Sequence, residues 1–197
     1  MDASRVFELF RESGAMLEGH FELSSGLHSD RYFQCALLLQ DPRRAERLAQ
    51  ALAPRIPAVQ LVVGPALGAV TWAHEMARAL GVNGIFTERK DGEMVLRRGF
   101  TIEPGTRVLV VEDVLTTGGS AKEVLRVLKE LGAEVVAVGS ILNRSGGNPF
   151  EEEFGLPLFT LADAEVKTYE PADCPLCASG SVAIKPGSRT QAAGDVR

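Results

Sequence analysis

The feature that most constrains this chain is the uninterrupted passage of residues 108–128, VLVVEDVLTTGGSAKEVLRVL, which joins three structural pieces without a spacer. Val108, Leu109, Val110 and Val111 form an unbroken apolar run, predicting a strand buried on both faces of a parallel sheet. Glu112 and Asp113 stand where that strand is expected to end. After Val114 and Leu115 come Thr116, Thr117, Gly118, Gly119 and Ser120. Val124, Leu125 and Leu128 then recur at helical spacing, with Gly132 as a stop signal.

Each part of this passage has a physical use. Gly118 and Gly119 allow positive φ and a close approach of the backbone to a bound group. Thr117 and Ser120 offer hydroxyl donors, and the free N–H groups of the following helix point to the same place, where the helix dipole favours negative charge. A phosphate monoester suits that cradle. The two carboxylates would repel a phosphate, so they must face hydrogen-bond donors, and the 2- and 3-hydroxyls of a ribose fit. The ligand implied is a sugar phosphate. An ordinary strand-to-helix turn also uses small residues, but paired acids at a buried strand end are costly without a ligand. The Gly-Lys-Ser/Thr of a Walker loop and the G-x-G-x-x-G of a dinucleotide fold are both missing.

The segment EDVLTTGGS resembles the 5-phosphoribosyl diphosphate (PRPP) binding motif of type I phosphoribosyltransferases. The resemblance implies that Glu112, Asp113, Val114, Leu115, Thr116, Thr117, Gly118, Gly119 and Ser120 hold PRPP. It also implies an α/β fold, with a mostly parallel central sheet flanked by helices and a small N-terminal hood.

The rest of the chain is consistent with one α/β domain. It has 197 residues, 45% hydrophobic and 24% charged, enough for one packed core. A formal charge of −5 argues against a general nucleic-acid or anionic-membrane binder. No basic leader or membrane-length apolar run is present, so a cytoplasmic protein is expected. In chain order, residues 6–10 predict a short helix that Ser4 caps and Gly14 ends. Residues 21–23 and 31–35 predict strands around a turn at Ser24, Ser25 and Gly26. Asp41 and Pro42 open a helix bearing Ala45, Leu48, Ala49 and Leu52, closing near Pro54. Strands are expected at 60–63, 84–87, 134–142 and 156–161, alternating with helices. Ligands of such sheets bind beyond the carboxyl ends of the strands, where the loops 64–69, 112–120 and 143–147 should converge. The expected division is a single domain, 1–197, with a hood to about residue 40, a core over 41–165 and a tail over 166–197.

Further segments narrow the resemblance. FELSSGLHSDRYFQC is similar to the hood of orotate phosphoribosyltransferases, VVGPALGA to that family's diphosphate loop, and SILNRSGG places Arg144 where the family has an orotate-contacting arginine. A guanidinium can grip the orotate carboxylate bidentately. Thr116 would reach both substrates, and Tyr32 and Phe33 would cover the ring, although paired aromatics are as often plain core. The resemblance implies magnesium carried by the diphosphate, with no dedicated protein metal site, and an obligate homodimer. It also implies a mobile cationic loop over residues 88–100 that reaches the neighbouring subunit's site. Arg89, Lys90, Arg97 and Arg98 lie in that loop, with Gly92 and Gly99 as hinges. It is shorter than in many relatives and has no histidine, and Ser24 and Gly68 stand where many relatives have lysine. The main loop cation is thereby left open among the four basic residues; Lys90 is the choice for the catalytic cation, with Arg89 beside it and Arg97 or Arg98 as the alternatives, and Asp113 is the catalytic carboxylate of the ribose site.

His20, His28 and His74 show no ligand spacing. Cys174 and Cys177 form a single C-x-x-C, half of a tetrahedral zinc site, and Cys35 is not obviously near; a turn with two reduced thiols is expected. The final residues are expected to fray. Two other functions share the PRPP loop. A purine phosphoribosyltransferase would lack the hood pattern and Arg144, and a PRPP-sensing regulator would carry a nucleic-acid surface for which nothing in the sequence argues.

Overall fold

The computed structural model describes residues 1–23 and 26–186. Ser24 and Ser25 of the expected turn, and the final residues expected to fray, lie outside the described residues. In chain order the elements are α1 (Ala3–Glu12), β1 (Met16–Glu22), β2 (His28–Phe33), α2 (Cys35–Leu39), α3 (Pro42–Leu52), β3 (Leu61–Pro65), α4 (Gly68–Leu80) and β4 (Asn83–Lys90). They continue with β5 (Glu93–Leu96), β6 (Arg107–Leu115), α5 (Gly119–Glu130), β7 (Glu134–Asn143), α6 (Glu151–Phe154), β8 (Leu158–Asp163), β9 (Thr168–Tyr169) and α7 (Pro175–Ala178). The chain divides into two compact units, residues 1–15 with 34–165 and residues 16–33 with 166–197. The stretch expected to form one hood is thus shared: α1 and α2 fall in the larger unit and β1 and β2 in the smaller.

The larger unit is built on a six-stranded sheet of order β5-β4-β3-β6-β7-β8, parallel throughout except for β5. Val108, Leu109, Val110 and Val111 are all 0% exposed, as a central strand covered on both faces requires. Ala121, Val124, Leu125 and Leu128 of α5 share one core cluster with Val108 and Val110. Against β3, α4 comes close enough that a Cβ on Gly64 would lie 2.9 Å from the Ala69 carbonyl oxygen, so only glycine fits there.

Three local expectations need correction. Asp2, not Ser4, caps α1: its backbone is extended (φ −88°, ψ 167°) and its carboxylate accepts from the Arg5 N–H at 2.9 Å, whereas Ser4 already lies inside the helix. Strand β6 does not stop at the acids but runs on to Leu115, because β7 continues beside it as far as the Leu115–Asn143 pair. Residues 88–96 are not an open loop. The hairpin β4–β5 turns through Asp91 (φ 54°) and Gly92 (φ 90°), the left-handed pair that a tight two-residue turn demands. Met94 of that hairpin is 8% exposed and belongs to the core cluster.

The smaller unit is a three-stranded antiparallel sheet of order β1-β2-β9, to which Ile184 adds a bridge at Phe21. Its pairing brings together residues that the sequence sets apart. His20 and Glu22 alternate onto one face of β1, and His28 pairs with Glu22, so the two histidines become diagonal neighbours across the strands. Cys174 and Cys177 reach the same point, and one ligand atom from each of the four residues lies within 4.8 Å of the others.

Candidate active site

Strand β6 delivers Glu112 and Asp113 to the carboxyl end of the sheet, the edge at which ligands of parallel sheets bind. The strand is held there from its neighbour: Ser140 of β7 is fully buried, and its hydroxyl donates to the Leu142 carbonyl at 3.0 Å and the Asp113 carbonyl at 3.4 Å. Both acidic side chains are half-buried. Burial pushes the Glu112 carboxyl well above the usual carboxylate range, and the neighbouring Asp113 charge adds to the shift. Burial also raises Asp113, opposed by the Val114 N–H, which donates to its Oδ1 at 2.8 Å. The same two acids add to the burial that raises the Cys35 thiol. Two half-buried carboxylates at a strand end can accept hydrogen bonds from the hydroxyl groups of a ligand.

Beyond the acids the chain turns into α5 through Gly118, whose φ of 75° and ψ of 10° place it in the left-handed region. A Cβ at Gly118 would sit 3.0 Å from Phe150 Cζ and 3.1 Å from Pro149 Cγ, so the loop is packed tightly from behind. In front of it lies a cavity of about 140 Å³ lined by Glu112, Val114, Leu115, Thr116, Gly118, Gly119 and Ser120. At ~30 Å³ of liquid volume per water, that is room for a handful of waters or one phosphate group. Thr117 is not in the lining; its Oγ1 accepts from the Gly119 N–H at 3.3 Å and so shapes the turn.

The other loops at this edge are arranged around the same strand end. Gly68 opens α4 directly beside the acids: a Cβ there would lie 3.2 Å from both carboxylate oxygens of Asp113. Arg144 is anchored by its N–H, which donates to the Leu115 carbonyl at 2.7 Å, so the loop after β7 is tied to the end of β6. Asn143 organises that loop, donating to the Gly147 carbonyl at 2.9 Å and to Asp163 at 2.8 Å, while its Oδ1 accepts from Ser145. The sequence pointed to Gly68 as part of the loop 64–69, but Asn143 and Ser140 were passed over. The available signal was a polar residue within or ending an otherwise apolar strand, as in SILN.

The cations of the β4–β5 hairpin are mostly engaged. Arg89 donates to Glu123 at 2.7 Å and to the Gly92 carbonyl at 2.8 Å. Arg97 and Arg98 both meet Glu88, at 3.2 Å and 2.8 Å. Lys90 is exposed and forms no ion pair among the described residues. Tyr32 and Phe33 belong to the smaller unit, where Phe33 is buried and Tyr32 packs on Phe21 with ring centroids 5.8 Å apart.

The phosphoribosyl transferase domain family matches residues 43–154. An orotate phosphoribosyltransferase of Carboxydothermus hydrogenoformans is 53% identical over 188 residues, covering 93% of this chain and 97% of the relative. One from Desulforamulus reducens is 50% identical over 191 residues, covering 96% of this chain and 98% of the relative. Among solved structures, the orotate phosphoribosyltransferase of Aeropyrum pernix superposes with a TM-score of 0.66 at 28% identity, over 80% of this chain and 93% of that one. The chain belongs to the phosphoribosyl transferase domain family and, within it, to the orotate phosphoribosyltransferases.

Proposed function

We propose that this chain transfers the 5-phosphoribosyl group of PRPP to orotate, giving orotidine 5-monophosphate and diphosphate, in pyrimidine nucleotide synthesis. The observation that carries the reading is the half-buried carboxylate pair on β6 leading directly into the amide-lined cavity at the start of α5, in a chain about half identical to orotate phosphoribosyltransferases along nearly its whole length.

As the bond to diphosphate lengthens, positive charge grows on the ribose anomeric carbon. Glu112 and Asp113 accept hydrogen bonds from the ribose hydroxyls, and their negative charge lies on the side where the cation develops. The N–H groups at the start of α5, with the hydroxyl of Ser120, hold the 5-phosphate and fix the ribose against them. Thr116 and Arg144 take the orotate carboxylate, Arg144 as a planar two-point donor. Charge on the departing diphosphate is met by Lys90, the hairpin cation with no carboxylate partner among the described residues. That lack is what favours it over Arg89, Arg97 and Arg98. The oxygens of Glu112, Asp113, Thr116 and Ser120 are hard ligands, which suit magnesium entering with the diphosphate rather than a softer resident ion. Magnesium neutralises phosphate charge when bound. A homodimer in which Lys90 serves the neighbouring site fits its exposed place beside the hairpin turn, and the free state of all three cysteines suits a cytoplasmic setting.

The direct test is ultraviolet absorbance of orotate mixed with the chain, PRPP and magnesium. Loss of the orotate band at a catalytic rate is the expected result. An unchanged band with turnover of adenine or hypoxanthine would select a purine enzyme instead. PRPP binding without turnover of any base would select a sensor.

A further inference from the structure

We propose that the smaller unit holds a structural zinc ion, bound by His20 Nε2, His28 Nδ1, Cys174 Sγ and Cys177 Sγ. The site is separate from the chemistry assigned to the PRPP loop and does not depend on it.

Four of the six distances among these atoms match the edges of a tetrahedron around an ion, and all six are within 4.8 Å. Around zinc, with bonds of ~2.0–2.1 Å to nitrogen and ~2.3 Å to sulfur, the edges of the tetrahedron are about 3.3 Å between nitrogens and about 3.6 Å between nitrogen and sulfur. The structure has 2.9 Å between His20 Nε2 and His28 Nδ1. It has 3.5 Å from Cys174 Sγ to His20 Nε2, 3.8 Å from Cys177 Sγ to the same nitrogen, and 3.3 Å from Cys177 Sγ to His28 Nδ1. Every one of these lies within half an ångström of a zinc tetrahedron's edge.

Hydrogen bonding alone does not account for the cluster. His20 Nε2 has either one proton or one lone pair, yet three polar atoms converge on it. A single ion at their centre satisfies all four groups at once. The other nitrogen of His20, Nδ1, is buried with no hydrogen-bond partner among the described residues, so Nε2 is the only polar anchor that ring has. Two nitrogens and two thiolates, all from protein, complete a four-coordinate shell with no open position. That donor set selects zinc over magnesium or calcium and marks the ion as structural rather than catalytic.

The makeup of the unit explains why it needs such a staple. Among its described residues the buried apolar side chains are Phe21, Phe33 and Cys174, and the buried polar ones are His20, His28 and Ser29. Three of those six, His20, His28 and Cys174, are proposed ligands, and Cys177 supplies the fourth from the unit's surface. Two phenylalanines cannot offset the ordering of some forty residues, and small units of this kind are held by metals or disulfides. The ion would tie the β1–β2 hairpin to α7, which is 140 residues further along the chain, and binding it would displace the two thiol protons.

The test uses the full chain, purified without chelator and without a histidine tag. Elemental analysis should find about one zinc per chain, falling to under about a tenth in Cys177→Ser and in His28→Ala. Replacing zinc by cobalt in the wild-type chain should give the intense visible bands of tetrahedral thiolate-bound cobalt, a readout that needs no variant to fold. Zinc retained in full by both variants would overturn the proposal. So would a wild-type chain that takes up neither metal on reconstitution, or one isolated under reducing conditions with Cys174 and Cys177 joined as a disulfide.

Discussion

A single methyl group at Gly118 tests the architecture of the proposed phosphate loop. Gly118 has a φ of 75°, and a Cβ there would lie 3.0 and 3.1 Å from Phe150 ring carbons and 3.1 Å from Pro149. Phe150 is 0% exposed and cannot swing into solvent. Left-handed backbone costs a non-glycine residue about 1–2 kcal/mol, and overpacking costs about 1–3 kcal/mol. A shift of the turn relieves part of both, so Gly118→Ala should destabilise the chain by about 2–4 kcal/mol. For a chain of this length, that is a fall in Tm of about 4–16 °C. Gly119 is the control. Its φ lies outside the left-handed region, and its Cβ would meet only Thr117 Oγ1, at 3.5 Å. Gly119→Ala, in the first turn of α5, should move Tm by no more than about 3 °C in either direction. The assay is thermal unfolding of both variants without ligand, followed by PRPP titration at a temperature where both are folded. The displaced amides of Gly118→Ala should weaken PRPP at least tenfold, about 1.4 kcal/mol. Equal stability losses at the two positions, or unaltered PRPP affinity in Gly118→Ala, would refute the packing argument.

Asp113→Asn should lower kcat/KM by about 10²–10³ while the fold survives, since in the proposed mechanism it removes charge that faces the developing cation; unchanged steady-state kinetics would remove that role. Glu112→Gln carries a pH signature. The wild-type carboxyl has a raised folded pKa, so the stability it lends is full below the unfolded value of about 4.3 and is lost as pH rises through the folded value. The glutamine variant should therefore unfold at a higher temperature than wild type at pH 8, with the gap closing towards pH 4, and a gap that is constant or reversed contradicts the burial cost. Arg144→Ala should raise KM for orotate at least tenfold more than KM for PRPP, and equal effects on both would place the guanidinium elsewhere. Mixing inactive Lys90→Ala and Asp113→Ala chains should restore about a quarter of wild-type activity if each subunit lends Lys90 to its neighbour, and no recovery after subunit exchange denies that arrangement.

The parts of the molecule legible in the sequence were those in which cause and effect are local. Residues 108–128 could be read because strand, acids, loop and helix are contiguous, and the parallel sheet followed from repeated alternation of strand and helix patterns. Misreadings arose where two local signals competed. Carboxylates at 112 and 113 suggested a strand end, yet pairing with β7 kept β6 extended to Leu115. The charge and glycines of residues 88–99 suggested a loop, yet Asp91-Gly92 is a hairpin turn and buried Met94 draws the return strand onto the core. The His20, His28, Cys174 and Cys177 cluster was out of reach for a different reason. Its spacing exists only after β1 pairs with β2 and the tail folds back, and no local periodicity encodes a convergence over 140 residues.

The same strand serves as the centre of the core and as the floor of the site, and this explains how the acids stay where they are unfavourable. Left to themselves, Glu112 and Asp113 would move towards water. Four consecutive side chains ahead of them are wholly buried, each contributing about 1.5–3 kcal/mol by leaving water, so a shift of β6 along its axis would expose far more than it relieved. The Ser140 hydroxyl on the Asp113 carbonyl and the Arg144 N–H on the Leu115 carbonyl hold the strand beyond its apolar part. Trimming the core at Val110 to alanine should therefore act at a distance. Besides costing stability, it loosens the register that keeps the carboxylates desolvated, and kcat/KM should fall even at temperatures where the variant is fully folded. An unchanged kcat/KM in folded Val110→Ala would mean that the hydrogen bonds from β7 and from Arg144 alone fix the acids.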